Sequence, residues 1–190
     1  TAWDGIIAGL ITDKFDIIMS GMTITQQRNL EVNFSDPYIV VGQTVLLRNS
    51  LASTIKSAKD LDKPEYTIVT KLGVTGEIAT RKFFKKAKIV TFETESDATS
   101  EVLNGKADAM VYDQPYNVVF MSDKGKDKLV HLDTSLTYEP LGFAIRKGDP
   151  DFLNWLNNFI RQSKEDKVVG FSDELYNKWL VDTSWLQRVQ

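Results

Sequence analysis

Two strand-like runs, Tyr38 to Arg48 and Tyr138 to Arg146, constrain this chain more than any other feature. The first is rich in Val, Leu and Thr, and both read as long strands. Because they bracket a long middle segment, they predict a two-strand hinge between two lobes. Residues 1–47 plus 139–190 then form an outer lobe, and residues 48–138 form a second lobe inserted into it. A length of 190 residues suits one domain or two lobes of this kind.

Each half carries a helix, a turn, a strand and then a polar stretch. Ile6, Ile7, Leu10 and Ile11 fall at helical spacing, and Phe15 to Met19 reads as a short buried strand. Downstream, Glu101 to Lys106 closes a helix and Ala107 to Tyr112 follows as a strand. Between these, Thr67 to Thr70 reads as a strand and Gly76 to Lys86 as a helix. Phe152, Trp155, Leu156, Phe159 and Ile160 form one helical stripe, followed by Leu175, Trp179 and Leu180, and all are expected in the core. The pattern is α/β.

Composition excludes several classes. With 23 basic and 26 acidic residues the chain lacks the basic excess of a nucleic-acid binder. No apolar run approaches the roughly 18 residues of a transmembrane helix. Zero cysteines and one histidine leave neither a thiolate nucleophile nor a histidine pair for a metal. His131 reads as a solvent-facing strand histidine rather than a general base. Glu93 and Glu95 alternate without a second partner, and Lys82, Lys85, Lys86 and Lys88 read as a solvated face over a buried Phe.

The most informative stretch runs from Ser20 and Gly21 through Thr23 to Arg28, after a strand and into a helix. Thr25 is the expected N-cap, which puts Arg28 in the first turn. A cation there opposes the helix macrodipole by about 0.3–1 kcal/mol, whereas a bound anion satisfies both dipole and guanidinium. The guanidinium can also fork onto a carboxylate. Pairing with a surface Asp or Glu remains the plainer alternative. Lys71 to Glu77 makes a second strand-to-helix junction, with Thr75 a candidate cap and anion seat. Asp113 ends a strand before Gln114-Pro115, where it is either another cap or a partner for an ammonium group.

Six fragments, taken in order, resemble the polar amino-acid solute-binding proteins of bacterial ABC importers: "WDGIIAGLITDKFDIIMSGMTITQQR", "FSDPY", "LGVTGEIA", "GKADAMVYD", "GFAIRKGDP" and "LYNKWL". The resemblance implies the type II periplasmic-binding-protein fold, in which two lobes close over an amino acid and no cofactor is used. It implies delivery of that amino acid to a membrane permease, with no chemistry on the ligand. The implied location is periplasmic, or extracellular and membrane-anchored, after removal of a signal peptide. A dehydratase of the same fold and a receptor's sensor domain are the alternatives.

Residue by residue, the resemblance casts Arg28 as the clamp on the α-carboxylate, assisted by Thr23. Ser20 and the Gly21 carbonyl would accept from the α-ammonium. Thr75 would offer its N–H and hydroxyl to the carboxylate, and Asp113 would bind the ammonium. Trp3 would lie against the ligand side chain, and Lys71 would touch its end. Val74 stands where family members commonly carry a hydroxyl. Since Lys71 would disfavour a cation, a neutral or acidic ligand is expected. The family begins with a strand and helix before the segment matching Trp3, so the resemblance also implies an incomplete outer lobe. The expected consequence is an exposed sheet edge and apolar surface, met by a swapped or compensating dimer or by poor ligand binding.

Overall fold

The computed structural model describes residues 2–165, 173–182, 184 and 185. The chain divides into two compact units: unit 1 combines residues 1–41 with 139–178, and unit 2 combines residues 42–138 with 179–190. The crossing therefore falls between Val41 and Gly42 instead of after residue 47. The reason is that the first expected long strand is two strands with different partners. Its first part, β3 (Ile39–Val41), pairs antiparallel with β9 (Glu139–Leu141), while β4 (Gln43–Arg48) pairs with β7 (Ala109–Asp113) and β8 (Leu129–Leu132). Between β3 and β4 the Gly42 carbonyl accepts from the Gln114 N–H at 2.9 Å. Of the described residues, Trp179–Asp182, Ser184 and Trp185 group with unit 2, whereas the sequence reading put the C-terminal segment in the outer lobe.

Unit 2 is built on a five-stranded sheet of order β6-β5-β7-β4-β8. Strands β5 (Thr67–Lys71) and β6 (Lys88–Phe92) run parallel, as do β5 and β7, linked through α3 (Thr75–Phe83) and α4 (Glu95–Leu103). Strand periodicity assigns successive residues to opposite faces. Val45, Leu47, Ile68, Ala109 and Val111 enter one core with Ile55, Leu61 and Phe84. Leu46, Val69 and Met110 enter the other, with Ala98 and Val102 of α4 and with Leu129. Both faces are covered, which explains why β4 reads as a continuous apolar run and not as an alternating one.

Unit 1 holds a three-stranded antiparallel sheet in which β10 (Ala144–Ile145) lies between β1 (Ile17–Ile18) and β2 (Asn33–Phe34). Ala144 packs with Leu10 of α1 (Ile6–Ile11), Ile18, Met22 and Val32. Its neighbour Ile145 joins Phe143 with Leu156 and Ile160 of α6 (Pro150–Glu165) on the other face. The second expected long strand is also two, β9 and β10. They are parted at Gly142, whose N–H donates to the Met22 carbonyl at 3.1 Å. A Cβ at Gly142 would come within 2.8 Å of the Ile24 side chain and 3.2 Å of the Ser35 carbonyl, so only glycine fits this approach.

The stripe on α6 is only partly core. Leu156 and Ile160 are buried, but Trp155 is 60% exposed and stacks between Phe152 and Phe159 at centroid separations of 6.2 and 5.9 Å. Trp179, also expected inside, is exposed. His131 departs the other way. Its Nε2 lies 2.9 Å from Thr44 Oγ1 on β4, and its side chain is 9% exposed, so it faces a neighbouring strand instead of solvent. Burial lowers its pKa, and the charge of Asp133 opposes that in part.

Candidate functional site

In unit 1 the segment after β1 turns into α2 (Gln26–Asn29). Thr25 caps it as expected, its Oγ1 accepting from the Arg28 N–H at 3.1 Å. The helix is a single turn, however, so a macrodipole adds little there and the attraction for an anion rests on the guanidinium alone. That guanidinium is well positioned. Arg28 Nη1 donates to the Thr23 carbonyl at 2.8 Å, and its central carbon sits 5.6 Å from the Trp3 ring centroid. A planar cation over an indole face is a cation–π pair. The Thr23 carbonyl and the Trp3 ring are thus two of the partners of Arg28.

Thr23 itself is buried and bridges Leu141. Unit 1 thus brings Trp3, Thr23 and Arg28 into one group. Ser20 stands in a separate contact, its carbonyl accepting from the Met22 N–H at 2.7 Å and the Tyr38 hydroxyl at 3.2 Å. Gly21, next to it, is exposed. Tyr38, which stacks on Phe143 at 4.9 Å, was not singled out by sequence reasoning. Only its place in "FSDPY" marked it.

In unit 2, Thr75 is the first residue of α3 rather than its cap. The N-cap is Val74, buried and without a side-chain cap bond, and the turn before it places Gly73 at φ 74°. Thr75 Oγ1 is instead approached by Gln43 Nε2 at 3.4 Å. Asp113 does stand at the N-cap of α5 (Gln114–Ser122), yet it makes no side-chain cap bond. It faces Gln43 across the β4–β7 ladder, and its Oδ1 accepts from Gln43 Nε2 at 2.6 Å. The structure therefore joins Thr75 and Asp113 through one amide. Sequence reasoning passed over Gln43. The available signal was a lone amide at the start of the apolar run Thr44 to Leu47.

Lys71 ends β5, and its Nζ forms an ion pair with Glu95 Oε2 at 2.7 Å, with the two side chains 16% and 34% exposed. Glu95 thus has the partner that its local sequence did not show. Burial pushes the Glu95 carboxyl up, but the hydrogen bond from Lys71, then that from its own backbone N–H and the charge of Lys71, together outweigh it and hold the group below its ordinary value. Tyr112 is shifted strongly upward, first by burial and then by the charges of Asp113 and Glu95.

Unit 1 carries the Arg28 guanidinium and unit 2 the Asp113 carboxylate. The chain belongs to the bacterial extracellular solute-binding proteins, family 3, whose family model matches residues 1–182. The fold is that of the type II periplasmic binding proteins.

A structure described as a binding component of an ABC transporter from Wolinella succinogenes, complexed with lysine, is 62% identical with a TM-score of 0.93. It covers 98% of this chain and 79% of its own. An ancestral amino-acid-binding protein, described as a precursor of cyclohexadienyl dehydratase, is 50% identical with a TM-score of 0.84, over 95% of this chain and 75% of its own. The glutamine-binding protein GlnH of Bacillus subtilis is 32% identical over 165 residues. That match takes in 87% of this chain but 58% of GlnH, so the chain spans less than two thirds of that relative's length. Among the described residues no helix is long and apolar enough to cross a membrane.

Proposed function

We propose that the chain is the ligand-binding part of a periplasmic receptor that takes an L-amino acid with a cationic side chain and presents it to an ABC-type permease. The observation that carries the reading is Arg28, oriented by the Thr23 carbonyl and the Trp3 ring as a clamp for an α-carboxylate. Asp113 is the counterpart for the α-ammonium, because a zwitterion leaves water only when both charges meet opposite partners. Ser20, Gly21 and Thr75 add polar contacts at its two ends. Trp3 offers a ring to the side chain, and Lys71 lies toward its end.

The expectation of a neutral or acidic ligand loses its basis. It rested on the charge of Lys71, which Glu95 neutralises at 2.7 Å. The lysine complex of the Wolinella protein supports a cationic ligand instead. Calorimetric titration with L-lysine, L-arginine, L-glutamine and L-glutamate tests this, with binding of the first two and none of L-glutamate as the expected result. Tighter binding of L-glutamate would overturn the assignment of ligand charge. Arg28→Ala should weaken L-lysine binding by about 30-fold or more, since it leaves a buried carboxylate unpaired. Turnover of prephenate by the protein would favour the dehydratase reading.

A further inference from the structure

Gln43 is 1% exposed, at the first position of β4, next to the fully buried Thr44 and close to the buried Thr70 around Gly76. A buried amide destabilises a fold unless its polar atoms find partners. Its Nε2 carries two hydrogens, and two site residues lie before them: Asp113 Oδ1 at 2.6 Å and Thr75 Oγ1 at 3.4 Å. These come from different strand-to-helix junctions, the β7–α5 turn and the start of α3.

The polarity of this contact is determined. Only the NH2 end of an amide can face an ionised carboxylate at hydrogen-bond distance, because the oxygen would meet it lone pair to lone pair. Gln43 Oε1 is accordingly turned away, buried and without a hydrogen-bond partner, on the side where Gly76 leaves room. An orphaned acceptor costs stability, a cost that the short bond from Nε2 to Asp113 offsets. At Thr75 the oxygen receives the second amide hydrogen, so the hydroxyl's own proton is committed to donation elsewhere.

We propose that Gln43 is a positioning residue that sets the hydrogen-bond polarity of the site in unit 2. It holds Thr75 as a donor toward an anionic group and turns the Asp113 carboxylate as an acceptor toward a cationic one. One amide thereby orients the contacts for both ends of an amino acid. The inference rests on the reading of Thr75 and Asp113 as ligand contacts, and its test separates the two.

The test uses Gln43→Met, which keeps length and removes both donors, in the wild-type and Asp113→Asn backgrounds, with L-lysine as probe. Gln43→Met should weaken L-lysine binding about tenfold or more. In the Asp113→Asn background the same change should cost at least fivefold less, because the carboxylate that it orients is gone. Equal losses in both backgrounds would make Gln43 merely structural and overturn the proposal. A ligand-free readout stands beside this. In nuclear magnetic resonance spectra the Gln43 side-chain amide protons should exchange slowly with solvent, and Asp113→Ala should abolish that protection. Fast exchange in the wild type would overturn the proposal whatever ligand binds. Slow exchange without any amino-acid binding would instead overturn the proposed function and leave the amide's role standing.

Discussion

Gly76 offers a quantitative test of how rigidly this amide is held. A Cβ built there would lie 2.8 Å from Gln43 Oε1, 3.3 Å from Thr70 Oγ1 and 3.5 Å from Gln43 Cδ. The first distance is shorter than real Cβ contacts allow, so Gly76→Ala forces the Gln43 amide to move. It has nowhere cheap to go, because Gln43 is fully buried and tied to Asp113 at 2.6 Å. Displacing it gives up a hydrogen bond to a charged group, about 1.5–3 kcal/mol. Against that, alanine in place of a helical glycine returns about 0.5–1 kcal/mol. The balance is a destabilisation of about 1–2 kcal/mol, or a Tm lower by about 2–8 °C for a chain of this size. Thermal and urea unfolding of the ligand-free protein would measure it. Gly5→Ala is the control, since nothing lies within 4 Å of a Cβ there and little change is expected. A Gly76→Ala protein as stable as the wild type would refute the argument, because it would mean that the amide shifts without loss.

Two further outcomes follow from buried charge. His131 is held below its ordinary pKa by burial, so between that depressed value and about 6.5 the unfolded chain binds a proton that the folded chain does not. Its contribution to stability is therefore present above about pH 6.5 and lost on acidification, and His131→Gln should flatten the dependence of unfolding free energy on pH between 7 and 5. An unchanged slope would dissociate His131 from that dependence. Asp108, 8% exposed, pairs with Arg48 at 2.6 Å and accepts from the Thr67 N–H at 2.7 Å. Asp108→Ala should lower stability by about 1.5–3 kcal/mol, read as a lower urea midpoint, with a fall under 0.5 kcal/mol counting against the pair.

What was legible in the sequence is what local chemistry decides. The helical stripe from Leu156 to Ile160, the cap at Thr25 and the apolar run of β4 all follow from spacing and propensity, and the structure carries each of them. What was not legible depends on partners distant in sequence. Gly42 is the one local mark of a break between Val41 and Gln43, and it does not tell that β3 and β4 join different sheets. Thr75 was mistaken for a cap because a hydroxyl before a helix usually is one, whereas here Val74 takes that place. Lys71 and Glu95 are far apart along the chain, and the pairing of β5 with β6 brings the start of α4 to the end of β5. The selectivity expected from Lys71 took no account of that contact. Trp155 shows the limit of periodicity: a ring on the right stripe can still ride on its neighbours at the surface.

The pairing of Val41 with Glu139 carries a consequence for how the chain is made. These residues are opposite each other in an antiparallel ladder although roughly a hundred residues of chain lie between them, a large loop to close before any contact rewards it. The five strands of unit 2 are all complete by Leu132, whereas the sheet of unit 1 cannot form until Ala144 and Ile145 have been added. During synthesis the inserted unit can therefore assemble first and draw the two ends together, while the opening segment waits without its central strand. A chain ending at residue 138 holds every strand of the unit 2 sheet and lacks the central strand of the unit 1 sheet.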